Sequence, residues 1–132
     1  MRETALYPAV KAFLETQGFV VKGEICSCDV VAVRDGEPPL VVITELKLSF
    51  MLELVLQAVK RLRAADQVYL AVAGSRRGRD QDSRVYCLCR LIGVGLLTVD
   101  VRRGTVTAVV EPLPYRPTRH CWQTIQCRSN RC

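Results

Sequence analysis

Aromatic residues are scarce in this chain, at 6% of the total. That disfavours a module that reads single strands by stacking bases on exposed rings. No apolar run approaches the ~20 residues that cross a bilayer. The opening Met-Arg-Glu-Thr-Ala-Leu-Tyr-Pro lacks the basic-then-apolar profile of a secretory signal. The expectation is a cytoplasmic protein with no membrane partner. Histidine occurs once, at His120 in an irregular stretch, and is assigned no catalytic role. Gly74 and Gly78 form no phosphate-binding P-loop, because no Gly-Lys-Ser/Thr follows them. Acidic residues stop at Glu111, while Arg116, Arg119, Arg128 and Arg131 continue beyond it.

What is present describes one ordinary folded domain. The 132 residues are 49% apolar and 24% charged, which excludes wholesale disorder and suffices for a single core. Nineteen Lys and Arg against thirteen Asp and Glu leave a net charge of +6, which suits a polyanion such as nucleic acid. Arg76, Arg77, Arg79 and Arg84 form a basic cluster broken only by Asp80 and Asp82. The seven cysteines do not suggest a disulfide framework in a reducing compartment. The pairs Cys26/Cys28 and Cys87/Cys89 have C-x-C spacing, whereas zinc sites favour C-x(2–4)-C. Small apolar core residues are the plainer reading of these thiols, with a zinc-stabilised domain as a rival.

The patterning predicts the order α-β-β-β-α-β-α-β-β. Glu3, Leu6, Tyr7, Val10, Phe13, Leu14 and Gln17 mark one face of a first helix ended by Gly18. Strands are expected at Phe19 to Ile25, Cys28 to Val33 and Leu40 to Lys47, as an antiparallel meander whose third, nearly all-apolar member is central. A second helix is expected from a Ser49 cap to about Ala65, burying Leu52, Val55, Leu56, Val59 and Leu62. Its polar stripe would be Glu53, Gln57 and Arg61. A parallel crossover leads to Gln67 to Ala73. The loop from Gly74 to Asp82, a helix from Ser83 to Ile92 and strands at Gly95 to Val101 and Thr105 to Glu111 complete the domain, residues 1–115. Residues 116–132 read as a basic, cysteine-containing tail of irregular or disordered character.

The third strand carries the chemistry. Glu45 and Lys47 lie two apart and so share a sheet face. Asp29 sits in the strand before it, where a charge is poorly placed. Two carboxylates about 4 Å apart repel by about 4 kcal/mol at an effective dielectric of 20. A divalent cation relieves that repulsion, and hard oxygen donors favour Mg²⁺ or Mn²⁺. The plainer alternatives are a solvated Glu45–Lys47 ion pair, an Asp29 that caps a turn, a surface Gln57 and a solvated arginine loop.

Asp29 followed sixteen residues later by Glu45-Leu46-Lys47, with Gln57 on the next helix, resembles the signature of the PD-(D/E)XK nuclease superfamily. The stretches Val21-Lys22-Gly23-Glu24-Ile25, Cys28-Asp29-Val30-Val31-Ala32 and Leu56-Gln57-Ala58-Val59-Lys60-Arg61-Leu62 are similar to a family of uncharacterised bacterial PD-(D/E)XK phosphodiesterases. Cys28 stands where the superfamily name has proline, and the tail has no counterpart. The resemblance implies an α/β, restriction-endonuclease-like core that hydrolyses nucleic-acid phosphodiester bonds with Mg²⁺. It implies Asp29, Glu45 and the Leu46 carbonyl as metal ligands, and Lys47 as the residue that positions water and stabilises phosphate charge. Gln57 would orient Lys47, the water or a phosphate, and Glu3 or Glu24 would add an accessory carboxylate. Arg61, Arg76, Arg77 and Arg79 are expected to contact nucleic acid, with DNA the expected form. A homodimer is compatible with the superfamily. The rival from another class is a nuclease-fold module that binds nucleic acid or protein without cleaving.

Overall fold

The computed structural model describes residues 3–23 and 30–113. A 3-10 turn at Glu3–Leu6 runs into helix α1 at Tyr7–Thr16. Strands β1 (Val20–Lys22), β2 (Val30–Arg34) and β3 (Leu40–Lys47) follow, then helix α2 (Leu52–Arg61) and β4 (Gln67–Ala73). Helix α3 (Ser83–Ile92), β5 (Gly95–Asp100) and β6 (Thr105–Val110) finish the described part. The expected element order is therefore the observed one. The far end of the first expected strand, the start of the second and the tail lie outside the described residues.

The six strands form one sheet in sequence order. β1, β2 and β3 pair antiparallel, β3, β4 and β5 pair parallel, and β6 returns antiparallel along the edge of β5. β3 is thus interior, which its run of five buried residues from Val42 to Leu46 requires. Alternation along each strand builds two cores. Val42 and Leu46 of β3 join Tyr69, Ala71, Leu97 and Val99 beneath Leu6, Val10 and Leu14. Ile43 joins Val68, Leu70, Val72 and Leu96 beneath Leu54 and Ala58 of α2 and Val85 and Cys89 of α3. The result is three layers, with α1 on one face of the sheet and α2 and α3 on the other.

Helix α2 corrects the sequence-based expectation in two ways. Its N-cap is the extended residue Met51, which makes no side-chain capping bond, so Ser49 is not the cap, and the helix stops at Arg61. It also buries a rotated side, on which Val55 is buried and Leu62 packs against the core as expected while the rest of the expected stripe does not. Leu54, Val55 and Ala58 face the sheet, whereas Leu52, Leu56 and Val59 are 70%, 49% and 45% exposed. The cause lies in the site described below, where a buried carboxylate on β3 draws the Gln57 and Arg61 side of the helix inward.

Helix α3 follows its sequence signals closely. Asp82 caps it by accepting from the Arg84 backbone N–H, and Gly93, at φ 82°, ends it in the left-handed region that glycine adopts without strain. Gly95 answers to space instead. A Cβ there would sit 2.6 Å from the Tyr69 ring and 2.9 Å from Pro112. We expect Gly95→Ala to lower unfolding free energy by about 1–3 kcal/mol through overpacking, read from urea denaturation. Gly74→Ala, whose Cβ would meet only the Val99 carbonyl at 3.6 Å, should stay within about 0.5 kcal/mol of the parent.

Hydrogen bonds from the Arg84 side chain and backbone pull the Asp82 carboxyl down to about 2, from an ordinary 3.8. A depressed carboxyl stabilises the fold fully above its unfolded value and loses that contribution as pH falls toward its folded value. Asp82→Ala should therefore lower the melting temperature at neutral pH, with the gap to the parent closing between about pH 4 and pH 2. A gap independent of pH over that range would contradict the ionic cap.

Candidate active site

Glu45 is a charged residue with only 2% of its surface exposed, in the interior strand of the sheet. An ionised carboxylate so placed needs a cation and hydrogen bonds, since its uncompensated desolvation costs several kcal/mol. Arg61, the last residue of α2, supplies both: its Nε donates to Glu45 Oε1 at 2.9 Å. Glu45 shares the face of Ile43, the face against which α2 packs, so the register of β3 and the packing of α2 together create the pair.

Gln57 lies one turn before Arg61 and on the same side of α2. Its Oε1 is buried and has no hydrogen-bond partner among the described residues. A buried acceptor without a donor is costly, and it marks a place suited to a bound cation or donor. Lys47, the last residue of β3, carries its Nζ to within 3.4 Å of Glu3 Oε1 in the 3-10 turn before α1. Of the two accessory carboxylates expected from sequence, Glu3 thus stands beside Lys47. Asp29 and Glu24 lie outside the described residues. The neighbour of Asp29 in the chain, Val30, pairs with Thr44, the residue before Glu45.

The basic loop belongs to the same end of the sheet. β3 and β4 run parallel with Lys47 opposite Val72, and residues 74–82 leave β4 just past that point. In open α/β sheets, ligands collect at the carboxyl ends of the strands. Asp80, 4% exposed, braces the loop from within. Its carboxylate accepts from the Ser75 backbone N–H at 2.9 Å, from the Ser75 hydroxyl and from Gln81 Nε2 at 3.2 Å. Tyr86 donates its hydroxyl to the Asp80 carbonyl at 2.6 Å. Arg76, Arg77 and Arg79 are left exposed on this braced loop. Arg61 is placed differently from these three, on Glu45 rather than on the open surface.

Among the described residues no three His, Cys, Asp or Glu side chains form a metal-binding group. The hard donors that are present, the Glu45 carboxylate and the unsatisfied Gln57 oxygen, are of the type that Mg²⁺ or Mn²⁺ takes, so these residues fit such an ion in kind. The two described cysteines fit zinc less well. Cys87 is exposed and Cys89 buried, because residues two apart on a helix face different sides. Burial pushes the Cys89 thiol up to about 11, which makes it an inert core residue.

No family model and no curated protein matches the chain. A solved structure does. The fold is shared with an XisH family protein from Nostoc punctiforme, at a TM-score of 0.52 and 17% identity, over 78% of this chain and 96% of that one. At that identity the likeness concerns architecture alone. The mixed six-stranded sheet flanked by three helices is restriction-endonuclease-like.

Two features escaped the sequence. Arg61 is expected from sequence to contact nucleic acid, and its pairing with Glu45 is not anticipated; the available signal is a carboxylate inside an apolar strand, which demands a cation from the helix packed on it. Asp80 read as an interruption in a basic cluster, and nothing local distinguishes it from Asp82. Removing the guanidinium leaves Glu45 buried with one fewer partner. Arg61→Met should cost about 3 kcal/mol in urea denaturation, and adding Glu45→Gln to that variant should recover part of the loss. Equal stability of Arg61→Met and the parent would contradict the pair.

Proposed function

We propose that this protein is a Mg²⁺-dependent phosphodiesterase acting on nucleic acid, with DNA the expected form. One observation carries the reading: a buried carboxylate, Glu45, lies near the carboxyl end of an interior strand that Lys47 closes two residues on, at the edge from which a braced arginine loop projects. The shared architecture with the XisH family protein supports a nuclease-type fold, and the net charge of +6 suits a polyanion.

In this reading Asp29, Glu45 and the Leu46 carbonyl hold the metal ion, which would act as a Lewis acid on the phosphate and lower the pKa of a bound water. Lys47, steadied by Glu3, places its ammonium where charge develops on the scissile phosphate. Gln57 offers its buried oxygen to the water or to Lys47. Arg76, Arg77 and Arg79 hold flanking phosphates as charge-assisted donors and give binding its salt dependence.

A second reading also has an observation behind it. Arg61 occupies Glu45 and Glu3 sits beside Lys47, so the two charged groups are already neutralised within the chain. That suits a nuclease-fold module that binds nucleic acid or protein without cleaving. Incubation of plasmid, linear duplex, single-stranded and branched DNA, and RNA, with Mg²⁺ or Mn²⁺ separates the two. The parent should cut at least one substrate, and Asp29→Ala and Lys47→Ala should each lose about two orders of magnitude or more, in line with loss of a metal ligand or a charge-stabilising donor. Cleavage of none, or equal cleavage by both variants, rejects the enzyme reading.

A further inference from the structure

Helix α2 turns an apolar stripe to solvent. With about 100° of rotation per residue, Leu52, Leu56 and Val59 fall within an arc of about 60°, and all three are among the exposed large hydrophobic residues. Three such side chains at i, i+4 and i+7 form a helical docking seam rather than scattered surface leucines. Met51 and Leu52 extend it into a groove of about 640 Å³, where Val55, Val85 and Leu88 add apolar wall. No described segment of the chain covers this stripe.

The charges along the stripe indicate what does. Glu53 and Lys60, both exposed, flank it on the same edge, one in the first turn and one in the last. An antiparallel copy of the same helix, related by a two-fold axis at Leu56, sets Leu56 against its own counterpart and Leu52 against Val59. The same rotation brings Glu53 of each helix opposite Lys60 of the other, at both ends. Apolar and charged positions are therefore self-complementary about a single point, the property an isologous interface requires.

We propose that the exposed face of α2 is the two-fold interface of a homodimer, with the two α2 helices packed antiparallel across Leu56. The interface lies on the outer side of α2, opposite the side that carries Gln57 and Arg61 to the sheet, so dimerisation does not cover the Glu45–Arg61 pair, while Arg79 of the basic loop lines the groove beside the seam. It also stands independently of whether that site cleaves.

Sedimentation velocity on the full chain over a concentration series tests the arrangement. The parent should associate to a dimer. Leu56→Glu, which buries two carboxylates at the axis, should raise the dissociation constant at least ~tenfold. Glu53→Lys and Lys60→Glu should each weaken the dimer by about threefold, and the double exchange should return it to within about twofold of the parent. All these positions are exposed, so thermal melts of the variants should show an intact fold. A chain that stays monomeric at every concentration assigns the stripe to another occupant and overturns the proposal. A dimer indifferent to Leu56→Glu, or a double exchange no tighter than the single ones, overturns it equally.

Discussion

A carboxylate on the interior strand of a sheet, covered by a helix, cannot remain charged without a cation in reach. Glu45 meets that condition through Arg61, and much of the architecture follows from the pair. To deliver Arg61, helix α2 must lie over β3 with its Gln57 and Arg61 side inward. Ala58 is small enough to let that side approach, and Leu54 and Val55 fill the flanks. The leucines and valine that would otherwise have been buried are turned out to solvent. Electrostatics here overrides amphipathicity, because burying one more leucine contributes roughly 2 kcal/mol, less than an unpaired buried charge costs.

That override explains where the sequence misleads. β3, β4 and α3 have the boundaries expected of them, since each is bracketed by strong signals: a turn-rich segment before Leu40, a crossover of fixed length, and Asp82 and Gly93 at the ends of α3. For α2 the periodicity offers two overlapping faces that share Val55, one with Leu52, Leu56 and Val59 and one with Leu54 and Ala58. Only the long-range demand of Glu45 chooses between them. Spacing within a helix cannot reveal a partner sixteen residues away on a strand.

The site was legible in kind more than in arrangement. Glu45 and Lys47 stand at the strand end where alternation put them, but their side chains go to different partners, Arg61 and Glu3. A two-residue spacing specifies a shared face; it does not specify where a four-carbon lysine stem carries its ammonium. The loop arginines were visible as charge, while the buried Asp80 that braces them was not, because its role depends on Ser75 and Gln81 folding back upon it. In both cases composition identified the chemistry and tertiary packing decided its geometry.

Glu45 is a carboxylate held by Arg61 and, in the proposed function, also a ligand of a divalent cation. The direct measurement is nitrogen NMR of the arginine Nε–H groups during a Mg²⁺ titration. The account predicts one Nε–H, lost in Arg61→Met, that is protected from solvent exchange and shifts saturably as Mg²⁺ is added, with the shift abolished in Asp29→Ala. An Arg61 signal that exchanges like those of the loop arginines, or one that Mg²⁺ leaves unmoved, would contradict it.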